Sequence, residues 1–310
     1  MRKTRKESPV QYLDSFRLPT ERDELDFIIP PKDQKPSHTI TMECYSNTDF
    51  YPFKLFPAKG LSRLDFAPIT IFYGSNGSGK STLLNIIGEK LRLRRIAPFN
   101  NTPFFEEYLQ RCQAELTFGR KMPEDSALLS SDDVFDFLLD LRALNSGVDT
   151  RRQELFDEYA RFRDPTAPRF QMQSLADYEE LKARNDARRR TKSDYTTRRL
   201  PHNIPSRSNG ESAFECFTTR IKSDALYLLD EPENSLSVKL QRKLAAFLEE
   251  SVRFYNCQLI ISTHSPFLLS LKGAKVYDLD ISPVTVRKWT DLENVRAYYE
   301  FFKENEKNFG

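Results

Sequence analysis

Hydrophobic positions along this chain follow two rhythms, and the switch between them marks out its elements. Thr39 to Tyr45 alternates Ile40, Met42 and Cys44 with Thr41 and Glu43, the period of a half-buried strand. Pro52 to Phe56 and Leu61 to Phe66 predict further short strands, so a small antiparallel β layer is expected here. Ile69 to Tyr73 is β-branched and aromatic and predicts a strand. Ser81 to Leu93 then turns helical, with Leu83, Leu84, Ile86, Ile87 and Leu91 apolar. Near the C-terminus helix and strand alternate: a helix over Glu211 to Ile221, a strand over Ala225 to Leu229, a helix over Val238 to Tyr255 and a strand over Gln258 to Ser262. The unbroken apolar runs Leu226 to Leu229 and Leu259 to Ile261 suit parallel strands buried on both faces. The fold class is α/β, with a mostly parallel sheet core.

Between these halves the pattern changes to charged helices separated by proline and glycine breaks. Residues 97–207 therefore predict an inserted helical subdomain. Ser131 or Asp132 caps a first helix with Val134, Phe135, Leu138, Leu141 and Leu144 on one face, Arg151 to Phe162 gives a second, and a third runs from about Ser174. No heptad pattern is sustained, which excludes a long coiled coil. Residues 1–36, charged and broken by Pro30, Pro31 and Pro36, read as an extended or loosely attached lead. The expected order is thus lead 1–36, first core segment 37–96, helical insertion 97–207 and second core segment 208–310. Tyr51, Phe53 and Phe56 suit the core of the β layer, or a stacking surface for a base. The aromatic run Trp289 to Phe302 predicts an amphipathic helix, packed on the domain or covering a partner.

Composition changes this picture little, but the placement of charge changes it more. The 310 residues carry 47 Lys plus Arg against 45 Asp plus Glu, so net charge does not indicate a partner. Between Lys182 and Arg207, however, nine basic residues face two acidic ones. Cys44, Cys112, Cys216 and Cys257 are widely spaced and only three histidines accompany them; four reduced thiols are expected, with neither a zinc site nor a disulfide framework. No apolar run approaches the roughly 20 residues of a membrane helix, and the basic start is not followed by an apolar signal core. A cytoplasmic location without a membrane partner is expected.

The candidate chemistry begins at Gly74-Ser75-Asn76-Gly77-Ser78-Gly79-Lys80-Ser81, which fits the phosphate-binding template G-x-x-x-x-G-K-[ST] between a predicted strand and a predicted helix. The glycines let backbone N–H groups turn toward phosphate oxygens. Lys80 adds a point charge, Ser81 a hydroxyl ligand for Mg²⁺, and the helix N-terminus, with Thr82 in its first turn, a partial positive charge. Asp230 and Glu231 end a buried strand with two carboxylates; Asp230 is assigned to the metal and Glu231 to the attacking water. ATP and Mg²⁺ are the cofactors this set requires.

Arg207-Ser208-Asn209-Gly210-Glu211 and Ser262-Thr263-His264-Ser265, read with the phosphate loop and Leu228-Leu229-Asp230-Glu231-Pro232, resemble the nucleotide-binding head of the ABC ATPase superfamily. Ser208, Asn209, Gly210 and Glu211 match the serine, two glycine and glutamine positions of its LSGGQ signature; Arg207 replaces the leucine and Asn209 a glycine. In that family the signature contacts the γ-phosphate bound to the opposite subunit, so the resemblance implies an ATP-dependent homodimer. His264 matches the switch histidine. Asn234 to Ser237 occupies the D-loop position, with Ser237 where an aspartate is common. Gln110 and Gln113 lie in the interval where a Q-loop glutamine is expected.

Asp230-Glu231-Pro232-Glu233-Asn234 and Thr263-His264-Ser265-Pro266-Phe267 are similar to the soluble SMC, RecF and overcoming-lysogenization-defect group more than to transporter ATPases, and the chain resembles stand-alone bacterial predicted ATPases of that type. The interval of 128 residues from Lys80 to Ser208 is too short for a long arm. Two jobs suit such a head. It acts on nucleic acid through Arg184, Arg188, Arg189, Arg190, Lys192, Arg198 and Arg199, in genome maintenance or antiviral defence, or it controls an effector protein such as a nuclease or toxin. A transporter subunit is the third and weakest reading.

Overall fold

The computed structural model describes residues 9–28, 50–166, 170–204 and 208–309. The chain divides into two compact units, one of residues up to Val134 and from Asn209 onward, the other Phe135–Ser208.

The first unit is built on two sheets. Strands β1 (Leu13–Arg17), β2 (Arg63–Asp65), β3 (Ile69–Tyr73), β4 (Gln113–Leu116), β5 (Ala127–Ser130), β6 (Leu226–Asp230), β7 (Gln258–Ser262), β8 (Lys275–Asp278) and β9 (Thr285–Arg287) follow in chain order. Three of them form an antiparallel sheet in the order β2-β1-β4, and six form the core sheet in the order β5-β6-β7-β3-β8-β9. All core pairings are parallel except β8 with β9. Strands β3 and β7 are buried along their whole length, as their continuous apolar sequences require. The helix Lys80–Lys90 packs Leu83, Leu84, Ile86 and Ile87 into this core.

The N-terminal lead is corrected by the structure. Leu13 and Phe16 are fully buried, and β1 is the central strand of the antiparallel sheet. Gln258, itself buried on β7, ties it to the core sheet. Its Oε1 accepts from the N–H groups of Tyr12 (2.7 Å) and Leu13 (2.9 Å), and its Nε2 donates to the Leu13 carbonyl (2.9 Å). A charged, proline-containing stretch concealed this strand because its apolar set is short. A helix, Glu21–Ile28, follows and stacks Phe27 on Phe53 with ring centroids 4.6 Å apart.

Pro52 to Phe56 is turn rather than strand, entered through a cis peptide bond at Pro52. Phe53 and Phe56 are buried in the core, whereas Tyr51 is half-buried. The strand expected at Thr39 to Tyr45 lies outside the described residues, as does Cys44; Cys112, Cys216 and Cys257 are buried free thiols. The insertion is also shorter in its helical part than expected from Ala97. The interval holds β4 and β5, and β5 is an edge strand of the core sheet.

In the second unit the two helices expected before Phe162 are one, Ser131–Arg163, which begins in the first unit. The Asn145-Ser146-Gly147 stretch does not break it. Asn145 instead uses its side chain on the backbone of Ile204, accepting from N (2.9 Å) and donating to O (3.0 Å). The helices Tyr178–Arg189 and Lys192–Thr197 follow, and Leu155, Phe162, Ala187 and Tyr195 form a small core. No helix among the described residues is long and apolar enough to cross a membrane.

Candidate active site

Strand register brings the chemistry together. Phe72 is paired with Ser262 and Ser262 with Asp230, while Ser130 is paired with Asp230 on the other side. The C-terminal tips of β5, β6, β7 and β3 therefore end at one level, where ligands of parallel sheets bind.

The loop Gly74 to Gly79 leaves the tip of β3. Gly77 (φ 82°) and Gly79 (φ 97°) take left-handed conformations that other residues resist. Gly79 also caps the helix Lys80–Lys90 without a side-chain oxygen, so the first-turn N–H groups remain for a ligand. A Cβ at Gly74 would stand 2.5 Å from Ser78 Oγ, which explains the first glycine. Asp280, beyond β8, pins the loop: it accepts from the Ser75 N–H through both oxygens (2.9 and 2.8 Å) and from Ser75 Oγ (2.8 Å).

Lys80 is 4% exposed, and its ammonium donates to the carbonyls of Gly74 (2.7 Å) and Ser75 (3.1 Å) across the loop mouth. Glu231 Oε1 lies 3.6 Å from Lys80 Nζ and 3.4 Å from His264 Nε2. One carboxylate oxygen thus sits between the loop lysine and the histidine. Glu231 has φ 46°, a conformation costly for a residue with a Cβ, and is held in it by N–H bonds to Ser262 O (3.0 Å) and Ser262 Oγ (3.2 Å). Its other oxygen accepts from Asn234 Nδ2 (3.1 Å).

Asp230 accepts at Oδ1 from Ser81 Oγ (3.1 Å) and from Ser262 Oγ. Burial pushes its carboxyl above the usual range, and those hydroxyls pull it back. Ser81 Oγ and Asp230 form the hard-oxygen pair that suits Mg²⁺ beside a phosphate. Among the described residues, no group of three or more His, Cys, Asp or Glu is placed to hold a metal alone. The fit is therefore to a cation that takes its other oxygens from nucleotide and water. Two clefts open beside these groups. One, of ≈ 520 Å³, is lined by Asn76, Gly77, Gly79, Lys80, Ser81 and Glu231 among others; the second, of ≈ 600 Å³, by Ser81, Asp230, Glu231 and, opposite, Ser131 and Asp132. Thr82 lines both and accepts from the Tyr51 hydroxyl (2.9 Å).

Other expected residues lie elsewhere. Gln110 is exposed on the helix Phe105–Arg111 and Gln113 is exposed on β4, and neither lines a cleft. The position beyond the strand next to Asp230 belongs instead to Ser131 and Asp132. Asn209, Gly210 and Glu211 begin the helix Asn209–Arg220 and line neither cleft, whereas Ser208 belongs to the second unit. A Cβ at Gly210 would stand 3.0 Å from the Ser235 carbonyl, so glycine lets this helix approach the turn after β6.

The sequence reading missed Ser262, Glu233 and Asp280. A polar residue closing the apolar run of β7 was a signal for Ser262. Nothing local announced Asp280, whose partner lies 205 residues away.

Residues 123–270, just under half of the chain, match the family model described as "AAA domain, putative AbiEii toxin, Type IV TA system". No curated protein matches the sequence. Among solved structures, a chain described as a metal-chelate type ABC transporter in an inward-facing conformation is similar at 18% identity and TM-score 0.35, over 77% of this chain and 82% of that one. An SMC head bound to the C-terminal winged-helix domain of ScpA is similar at 15% identity and TM-score 0.38, over 73% of this chain and 93% of that one.

Proposed function

We propose that this chain, a P-loop ATPase of the ABC type, binds and hydrolyses ATP at the mouth formed by Lys80, Ser81, Asp230, Glu231 and His264, and does so as a homodimer assembled around the nucleotide. The observation that carries this reading is the convergence of five side chains from two strand tips and one helix.

In this reading the loop N–H groups and the helix N-terminus cradle the phosphates, and Lys80 turns its ammonium from the Gly74 and Ser75 carbonyls toward them. Ser81 and Asp230 hold Mg²⁺, which when bound neutralises phosphate charge. Glu231 orients the attacking water and accepts its proton. His264 donates toward the transferring phosphoryl group, with Glu231 fixing the ring. That Asn209, Gly210 and Glu211 line neither cleft suits a signature that serves the opposite subunit.

For the wider job, the basic segment supports nucleic-acid binding less than its sequence did. Arg184 pairs with Glu180, Arg190 and Arg198 with Asp194, and Arg199 with Asp186. Arg188 and Arg189 are exposed and make no ion pair among the described residues. Such internal pairing leaves few charges for phosphates. It favours the second reading, a nucleotide-gated module that holds or releases an effector, a setting that also suits the toxin–antitoxin family matched above.

ATP turnover measured with and without duplex DNA, single-stranded DNA and RNA separates these readings, with Glu231→Gln as control. Turnover lost in the control supports the site. Stimulation by one nucleic acid, removed by Arg188→Glu with Arg189→Glu, favours the nucleic-acid role, and indifference to all three favours effector control. Turnover retained by the control overturns the assignment of Glu231.

A further inference from the structure

Glu233 stands in the turn after β6, only 7% exposed, and takes no part in the chemistry described so far. A carboxylate is seldom buried without several donors around it, because loss of water penalises its charge. Here the donors come from one place. Glu233 Oε1 accepts from Thr263 Oγ1 (2.5 Å), from the His264 N–H (2.9 Å) and from the Ser265 N–H (3.2 Å). All three belong to the loop that leaves β7. A second bridge closes the same circuit: Ser265 Oγ donates to Gln241 Oε1 (2.8 Å), and Gln241 Nε2 donates to the Leu236 carbonyl (3.0 Å) in the turn.

The two segments joined in this way are those that carry Glu231 and His264. With the His264 backbone fixed by Glu233, only ring torsions remain to place Nε2, and these put it 3.4 Å from Glu231 Oε1. We infer that Glu233 is a positioning residue for hydrolysis: its carboxylate clamps the loop after β7 to the turn after β6 and so fixes the His264 ring against Glu231. Burial raises the Glu233 carboxyl, and the loop donors oppose that shift only in part. This inference rests on the ATPase reading for its effect on turnover, but the clamp itself is testable without it.

The chain contains three histidines, His38, His202 and His264, so its ring resonances are few enough to follow individually in the full-length protein. The His264 signal is assigned by its loss in His264→Asn. In Glu233→Ala the His264 resonance should shift or broaden while those of His38 and His202 stay in place; in Glu233→Gln, which retains the accepting oxygen, it should return toward the wild-type position. In parallel, Glu233→Ala should lose at least tenfold in kcat with the Kd for ATP changed less than threefold, and Glu233→Gln should recover most of that loss. Thr263→Val removes one donor and leaves the carboxylate in place; it should shift the same resonance and give an intermediate loss, and it serves if the alanine variant fails to fold. An unmoved His264 resonance in Glu233→Ala, or in Thr263→Val where that variant stands in, overturns the clamp. So does a kcat within twofold of wild type, or a glutamine variant as impaired as the alanine one. Absence of turnover in the wild-type protein would overturn the ATPase reading alone, with the resonance experiment still deciding the role of Glu233.

Discussion

Asp230 sets function against stability. Burial raises its carboxyl in the folded state, so its protonated form favours folding, and that contribution is lost as pH rises through the raised value. At neutral pH the ionised carboxylate is carried at a cost, and Asp230→Asn should raise the melting temperature by a few degrees while abolishing turnover, as paired thermal melts and ATPase assays would show. Glu24 follows the same sign at a site remote from the chemistry. Its Oε2 accepts from the Lys54 N–H (2.5 Å), its other oxygen is buried without a hydrogen bond, and burial pushes the carboxyl up to about 7. Stability should fall from about pH 4.5 to about 7 with a slope of up to ~1.4 kcal/mol per pH unit and level off above that, and denaturant titrations of Glu24→Gln should flatten that slope. Glu231→Gln should lower turnover about 100-fold or more and leave ATP binding within a few-fold, because general-base assistance alone contributes on that order. At this scale the phosphate loop, Asp230, Glu231 and His264 were legible because each sits in a local motif. Glu233, Ser262 and Asp280 were not, since each acquires meaning only through a partner on another strand.

Gln258 shows what happens one level up. A glutamine opening an apolar run reads as a polar strand end, yet it is fully buried and joins the two sheets through the backbone of Tyr12 and Leu13. Replacing it by Leu would leave two buried N–H groups without acceptors and should cost about 2–4 kcal/mol, measurable as a fall in urea midpoint. Deleting residues 9–20 removes β1, on which both β2 and β4 pair, and should abolish cooperative unfolding. The periodicity that located β3, β6 and β7 was clear because those strands are buried on both faces. Strands β4 and β5 are only four residues long, and charge or proline surrounds β1, β4 and β5 alike. The same weakness made Pro52 to Phe56 read as a strand when its phenylalanines serve a turn packed into the core. Helical periodicity failed in the opposite direction, since the two helices expected up to Phe162 are a single helix of 33 residues.

For the molecule as a whole, the proposed dimerisation around nucleotide predicts that Glu231→Gln shifts from monomer to dimer in light scattering when ATP is added, and that Ser208→Arg in the same background keeps it monomeric. The phosphate loop is also tied to the C-terminal end of the chain. Asp280 grips Ser75, the Leu279 N–H donates to the Tyr73 carbonyl (2.8 Å), and Arg287 on β9 pairs with Asp278 (3.1 Å). The Tyr73 hydroxyl accepts from the Asn294 N–H (3.2 Å), at the start of the helix Glu293–Glu304 whose Tyr298, Tyr299, Phe301 and Phe302 are exposed. Trp289, the single tryptophan of the chain, stands two residues beyond Arg287 and is partly exposed. Because Trp289 follows β9 closely in the chain, its emission should change when ATP is mixed with the protein and stay constant in Lys80→Ala, giving a label-free optical clock for nucleotide loading.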